Sequence, residues 1–454
     1  MVYNNKRMDK FFKLLFGTFS GPLFLFIGLA MMYTTFRVLN INVEGMLTIL
    51  IALSPLWLPI GLFFLTFERW QYYVRLKFIV NSGRTTLRIK LPQEVFKSPE
   101  AMENVLNQTF LPNSLDNLMH PYLEGRHPLM NSLEVVSIGG EVRFYVNVPT
   151  KKVKNSFEAQ LYAQYPGVEV TEEPIDYTAE VKWDPEEWAM ISFHIAKKED
   201  EIFPIKTYID FGLDKLPKEE EKLDPMAPLL EHLGKVKPHE RMWVQFLIRP
   251  HVKKSLDTGD LKEKPTWEKA VATKVSEIMG RDKKREVGED GGFEIAPRLT
   301  ANEKNTIDSM DRNATKYAYD TAIRAIYITK QGKFDAEMIT PLLRAFSQFD
   351  VVGQNALGVR WRTDVDYPMF QDPGGALRNK MKKSELDAYK KRYYYPADVI
   401  KFVDKPKVMS VEEIATMYHL PGKVILTPSV SRIGSVRKEA PANLPVGTPT
   451  HLPV

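Results

Sequence analysis

Apolar residues crowd the start of this chain far more densely than any later part. Leu14 to Phe36 (LLFGTFSGPLFLFIGLAMMYTTF) and Gly45 to Phe67 contain no charged residue. Each runs for roughly 23 residues, enough at ~1.5 Å per residue to cross a ~30 Å hydrocarbon layer. The pattern predicts a two-helix transmembrane hairpin over residues 14–67, the kinks of Pro55 and Pro59 being tolerated where neighbouring groups re-satisfy the backbone. Trp70, Tyr72 and Tyr73 stand where an interfacial belt belongs. Lys6, Arg7, Lys10 and Lys13 precede the first span, and Arg69, Arg75 and Lys77 follow the second, while the connecting loop holds only Arg37 and Glu44. Positive flanks stay inside, so the expectation is an inner-membrane protein with residues 1–13, both termini and the main body in the cytoplasm. A cleaved signal peptide is the weaker rival, because the apolar stretch is too long and Met31, Met32 and Tyr33 form no small-residue cleavage site. A helical hairpin buried in a core is the other.

Beyond residue 84 the pattern changes to short alternating runs and helical repeats. TTLRIKL (85–91) reads as a strand, and Ser98–Pro99–Glu100 as an N-cap, first-turn proline and early acid opening a helix through about Phe110. SLEVVSI and EVRFYVNV flank Gly139–Gly140, a hairpin signal because primed turns need positive φ. Val153, Phe157, Leu161 and Tyr165 recur at helical spacing before Pro166–Gly167 and the short strand VEV. The order β-α-β-β-α-β predicts a ferredoxin-like unit over 84–178. A second such unit is expected over 190–362: a strand at 204–210, a helix from Asp224–Pro225, strands at 241–249 and 319–329, a helix at 334–348 and a strand at 357–361. Between its middle strands lies an insertion, 251–318, holding the charged loop RDKKREVGEDGG. Residues 363–454 read as an irregular C-terminal region: a basic helical segment, a capping box at Ser410–Val411–Glu412–Glu413 opening a helix to His419, and a proline-rich tail. The fold class is α+β.

Composition narrows the chemistry. The 454 residues include no cysteine, which removes disulfides, thiolate metal sites and cysteine nucleophiles. A net charge of +5 is small for this length and does not by itself argue for nucleic acid. No glycine-rich loop ends in Gly-Lys-Ser/Thr, and no HExxH or GxSxG pattern occurs among the eight histidines and the serines. His194, within the run AMISFHIA, and His419, at a helix end, read as structural. The expectation is a non-enzyme with no cofactor and no metal; an enzyme of unrecognised type would need a concave site with shifted pKa values. Two basic stretches are candidates for phosphate contact: Arg281, Lys283, Lys284 and Arg285, and then Arg378, Lys380, Lys382, Lys383, Lys390, Lys391 and Arg392, followed by three tyrosines. Anionic lipid headgroups would suit the same residues, and plain solvated surface is the bland alternative.

The run SLEVVSIGGEVRFYVNVP, then FEAQLYAQYPGVEV and Asp176–Thr178, and later VEEIATMYHLPGKVILTPSVSRIGSVRKEAPANLP, together resemble the N-terminal, non-ATPase region of HerA-like conjugative-transfer proteins of the type IV secretion class from candidate-phylum bacteria. The resemblance covers about Leu87 to Pro445. In the long members of that class the second stretch leads into the ATPase module, and the chain is expected to lack that module, so no family catalytic residue carries over. The resemblance implies a membrane-anchored adaptor or platform that docks a HerA-like ATPase and other secretion-apparatus subunits. Homo-oligomers are a further expectation, since ferredoxin-like units pair through their sheets. Partner contact would fall on Phe157, Tyr162, Tyr165 and the turn His419–Leu420–Pro421–Gly422, with core packing the competing role for the aromatics. A membrane-tethered nucleic-acid-binding protein is the alternative.

Overall fold

The structure is a computed structural model that describes residues 51–92, 98–111, 119–214, 224–251, 267–279, 299–364, 372, 374–393 and 406–422, with isolated positions 45 and 48. The chain divides into two compact units, Met1–Tyr73 and Val74–Val454. Helix α1 (Ser54–Ser82) begins in the first and ends in the second.

The transmembrane hairpin expected over 14–67 is corrected here: among the described residues, no helix is long and apolar enough to cross a membrane. The first expected span, 14–36, lies outside the described residues. In the second, a turn at Leu53 interrupts the apolar run, and α1 starts only after it. From Ser54 the uncharged part of α1 ends at Phe67, before Glu68 and Arg69. That leaves roughly 14 residues, ~21 Å of helix against a ~30 Å core. The inner-membrane location and the cytoplasmic placement of both ends were inferred from that hairpin and lose their basis with it.

The second unit is built on one antiparallel sheet of nine strands. Its first half comprises β1 (Thr85–Lys90), helix α2 (Pro99–Thr109), β2 (Asn131–Ile138), β3 (Glu141–Val148), helix α3 (Lys154–Gln164) and β4 (Glu169–Glu172). Local chemistry sets several of these boundaries. Ser98 caps α2 by accepting the Glu100 amide, with Pro99 as the first helical residue. Gly139 and Gly140 turn β2 into β3 at φ 59° and 91°.

The second half comprises β5 (Trp188–Lys197), helix α4 (Ala227–Gly234), β6 (Glu240–Pro250), helices α5 (Trp267–Ile278) and α6 (Ala301–Ala314), β7 (Ala318–Lys330) and β8 (Leu357–Arg362). The first strand of this half is therefore 188–197, not 204–210. The latter segment is irregular chain ending in a turn at 208–210, where the Asp210 carboxylate accepts the Thr207 amide at 2.9 Å. The long helix expected at 334–348 is instead three short pieces, Ala336–Met338, Ile339–Arg344 and Ser347–Phe349. The C-terminal region is not irregular throughout. It contributes helix α7 (Ala376–Lys391), strand β9 (Lys407–Ser410) and helix α8 (Val411–Met417), with β9 paired to the start of β7.

Strand order is β4-β1-β3-β2-β6-β7-β5-β8. Numbered within each half, this reads 4-1-3-2 and then 2-3-1-4, so two βαββαβ arrangements meet at equivalent strands. The junction is β2 against β6, antiparallel from Asn131↔Ile248 to Ile138↔Arg241 and centred on the Glu134↔Gln245 and Val135↔Val244 pairs. One continuous sheet therefore replaces two separate units.

Alternation along the strands sorts the sheet into two faces. Leu133, Val135, Phe144, Val146, Val244 and Phe246 belong to the main core, together with Met102 and Leu106 of α2, Phe157 and Leu161 of α3, and Leu230 and Leu233 of α4. The whole of α8 joins that core through Ile414, Ala415 and Met417. The opposite face packs Val136, Tyr145, Trp243 and Ile326 against Leu386 and Tyr389 of α7. Helices α5 and α6 form a smaller cluster with Val408.

A Cβ at residue 140 would approach the Val236 carbonyl oxygen to 2.9 Å in a backbone conformation that β-branched residues resist. Gly140→Val is expected to destabilise the domain by about 2–3 kcal/mol, read as a lower denaturant midpoint at unchanged slope. An unchanged midpoint would place the hairpin elsewhere.

Candidate functional site

The densest cluster of ionisable side chains lies under α7, on a single row of directly opposed residues that crosses the sheet. The register runs Arg88↔Tyr145, Tyr145↔Glu134, Glu134↔Gln245, Gln245↔Arg324, Arg324↔His194 and His194↔Trp361. Each of the four central strands thus contributes one strongly polar residue to the row, and the pleat turns all four toward the same helix.

Glu134, fully buried, is the hub. Its Oε1 accepts from Ser132 Oγ at 2.6 Å, Gln245 Nε2 at 2.8 Å and Arg392 Nε at 3.0 Å. Its Oε2 accepts from Tyr177 at 2.6 Å and Arg392 Nη2 at 3.2 Å. Arg392 completes its pairing with Asp176 at 2.6 Å. Burial alone would raise the Glu134 pKa, but the Arg392 charge and the hydrogen bonds from Arg392, Ser132 and Tyr177 hold it below the usual carboxylate range. Burial would lower the Arg392 pKa, but the charges of Glu134 and Asp176 and the hydrogen bond to Glu134 outweigh it and raise the group. This arginine ends α7 at φ 55°, the one non-glycine residue with positive φ among those described. Left-handed backbone costs an L-residue roughly 1–2 kcal/mol, and here it accompanies the turn of the side chain back to Glu134 and Asp176.

The other end of the row is organised by Glu385 of α7. Its Oε1 meets His194 Nε2 at 2.6 Å, Ser192 Oγ at 3.2 Å and Arg324 Nη1 at 3.4 Å. Arg324 also donates to Gln245 Oε1 at 2.6 Å, which links the two ends into one chain of bonds. Burial pushes the Glu385 carboxyl up, but the His194 and Arg324 charges and the hydrogen bonds from His194 and Ser192 bring it down to about 2. Serine, histidine and a carboxylate in one place invite a hydrolase reading, and the connectivity contradicts it. Both Ser192 and His194 bond to the same Glu385 oxygen, so the imidazole is not set to take the serine proton. Among the described residues, no group of three or more His, Asp or Glu is placed to hold a metal ion.

A second buried cluster surrounds α8. Lys197 and Glu413, both without exposed side-chain surface, pair at 2.8 Å. Glu413 also closes the capping box of α8 with Ser410 and accepts the Ile205 amide at 2.9 Å. Its neighbour Glu412 pairs with Arg312 at 3.1 Å, and burial raises its pKa.

The residues expected to contact a partner fall mostly in the core. Phe157 and Leu420 are fully buried, Tyr165 and His419 nearly so, and Pro421 is buried as well. Phe157 stacks on Phe110 at 6.0 Å, and His419 bonds Asp224 at 3.1 Å. Gly422 is half-buried, and only Tyr162 presents a large exposed surface. Of the basic candidates, Arg281, Lys283, Lys284 and Arg285 lie outside the described residues. Arg392 is a buried structural cation, Arg378 pairs with Asp372 at 3.4 Å, and Lys390 donates to the Val181 carbonyl. Lys382 is half-buried, and burial lowers its pKa. Lys380, Lys383 and Lys391 face solvent.

Sequence reasoning passed over Glu134, Gln245, Arg324 and Glu385. For the first three a signal was present: each of the runs SLEVVSI, MWVQFLI and TAIRAIYI carries one strongly polar residue inside an apolar stretch.

The chain belongs to a family described as Domain of unknown function (DUF8128), whose model matches residues 80–433. No curated protein matches the chain.

Two predictions follow from the geometry. Arg392→Met should cost about 3–5 kcal/mol of stability, because it leaves Glu134 charged and buried without its main partner. The double variant with Glu134→Gln should cost clearly less than the sum of the two single changes in a denaturation cycle. The second concerns acid. The folded pKa of Glu385 lies below the ordinary value of 4.5, so its stabilisation is complete above about pH 5 and is lost as pH falls toward 2. Glu385→Gln should therefore flatten the stability profile across that window while lowering the plateau near neutrality.

Proposed function

We propose that this chain is a non-catalytic platform subunit of a type IV secretion-like, DNA-transfer apparatus, which docks a HerA-like ATPase. The reading rests first on the resemblance of residues 87–445 to the region ahead of the motor module in such proteins. The observation that carries its non-catalytic part is the closed polar row. A ferredoxin-like sheet commonly has one open face, and here α7 covers the central strands and engages Glu134, Arg324 and His194 in bonds within the fold. The ionisable groups that would make a reactive cleft instead hold a two-winged body in one shape. A rigid body of that kind suits docking.

One feature favours nucleic acid as a second reading: Lys380, Lys383 and Lys391 form a solvent-facing stripe along α7. Asp387 interrupts it, and the cations of the first half of the sheet are matched by carboxylates, as in Arg88 with Glu141 and Lys90 with Glu169. The positive field is therefore small.

The test is co-purification of the full chain with a HerA-like ATPase from the same genome, read by size-exclusion chromatography with light scattering, beside a single-stranded DNA shift assay. A stable complex that survives the triple change Lys380→Glu, Lys383→Glu and Lys391→Glu supports docking. No complex, together with DNA binding that falls steeply with salt and is lost in the triple variant, transfers the assignment to the second reading. Failure of both assays removes both.

A further inference from the structure

The inner margins of the two half-sheets match each other at β2 and β6, and the outer margins of the whole sheet do not. Among the described residues, β4 pairs only with β1, and β8 only with β5. Both strands therefore turn backbone groups away from the sheet. At β8 the Lys198 amide donates to the Ala356 carbonyl at 2.8 Å, which sets Ala356 and Gly358 in the positions bonded to β5 and points the Val359 amide outward. At β4 the Glu173 amide donates to the Thr86 carbonyl at 3.0 Å, which by the same alternation turns Val170 and Glu172 outward. The Val170 amide there donates to the Tyr162 hydroxyl at 3.3 Å, a long bond that a carbonyl on an added strand could replace. Apolar surface accompanies both margins: Val359 is 41% exposed, Tyr162 47% and Ile175, just past β4, 74%.

The two margins differ in charge. β8 (LGVRWR) carries Arg360 and Arg362, both exposed, and no acid. β4 (EVTE) carries Glu169 and Glu172 and no cation. These carboxylates pair within the chain with Lys90 and Lys154, yet the Glu169 and Glu172 side chains keep 45% and 50% of their surface, which leaves access for a second cation. Like charges opposed across strands destabilise a pairing and opposite charges stabilise it. A two-fold pairing of β8 with β8 would set arginines against arginines, and one of β4 with β4 glutamates against glutamates. Only the mixed pairing matches. Direction permits it as well: neighbours along the eight-strand path from β4 to β8 are all antiparallel, so the end strands run opposite ways and a copy placed head to tail continues the alternation.

We propose that the outer margins bind a second copy of this chain, β8 of one copy pairing antiparallel with β4 of the next, with Arg360 and Arg362 against Glu169 and Glu172. Single-sign margins exclude the two like pairings and select this one. A contact between unlike margins repeats, giving a ring where the rotation closes and a filament where it does not. β4 has four residues, and a bulge makes Arg360 an extra residue in β8, so the pairing is short and the association reversible. The inference does not rest on the docking of an ATPase.

The test is sedimentation velocity of the full chain from micromolar to submillimolar concentration, at low and high salt. Reversible species larger than a dimer are expected at low salt and should recede at high salt. Arg362→Glu and Glu172→Arg should each raise the dissociation constant by roughly tenfold or more. An equimolar mixture of these two variants, and the double variant alone, should recover assembly, because each restores opposite charges at every contact. Val359→Pro removes an outward amide and should abolish assembly while leaving the denaturant midpoint nearly unchanged. A chain that stays monomeric throughout, or stops at a dimer, overturns the proposal. Assembly that both single variants retain, or that mixing them fails to restore, overturns it too.

Discussion

The pairing of Glu134 with Arg392 is the contact on which the two-winged sheet depends. Glu134 sits on β2, at the line where the two halves of the sheet join, and Arg392 ends the helix that crosses that line. Taking both charges out of water is costly, and their attraction returns that energy only when the remaining lone pairs and protons are also bonded. Here Ser132, Tyr177, Gln245 and Asp176 supply those bonds. The pair thus adds little net stability over an apolar equivalent, but it admits one seating of α7. A helix displaced by one residue along the sheet would leave a carboxylate and a guanidinium buried apart. Specificity of packing, more than its strength, is the property this row confers.

The same logic recurs around α8. Lys197 and Glu413 are both fully buried, and Glu413 serves at once as helix cap, ion partner and acceptor for the Ile205 backbone. A segment more than two hundred residues downstream of β5 is thereby fixed to it. Two late stretches of chain, α7 and α8, cover opposite faces of a sheet whose strands, β9 excepted, all precede them in the chain. The fold is consequently closed by its last described elements.

Where the chemistry is local, the sequence was readable. The Ser98–Pro99 helix start and the Gly139–Gly140 hairpin are governed by residues adjacent in the chain, and both stand where the pattern put them. Elsewhere it was not. The run 204–210 alternates like a strand, yet Asp210 folds it back on Thr207, while the true strand, 188–197, hides behind the polar Ser192 and His194. The apolar beginning of α1 reads as a membrane span until the turn at Leu53 and the charges after Phe67 are taken together. Arg392 looked like one cation in a basic stretch, because its carboxylate partner lies 258 residues earlier. For Arg392 the deciding neighbour is distant in sequence, and pattern alone carries no record of it.

The junction between the halves bears on how such a chain could have arisen and persisted. β2 and β6 are eight and eleven residues long, apolar on one face, and each is the outer strand of its own half. Standing alone, either half would present a long flat row of unpaired amides and carbonyls, the template from which strands of other molecules grow into aggregates. Covalent linkage supplies each exposed margin with its match at a fixed and high effective concentration. The tether from 173 to 187 is therefore a safeguard against self-association as well as a connection, and the two wings are bound to travel as one.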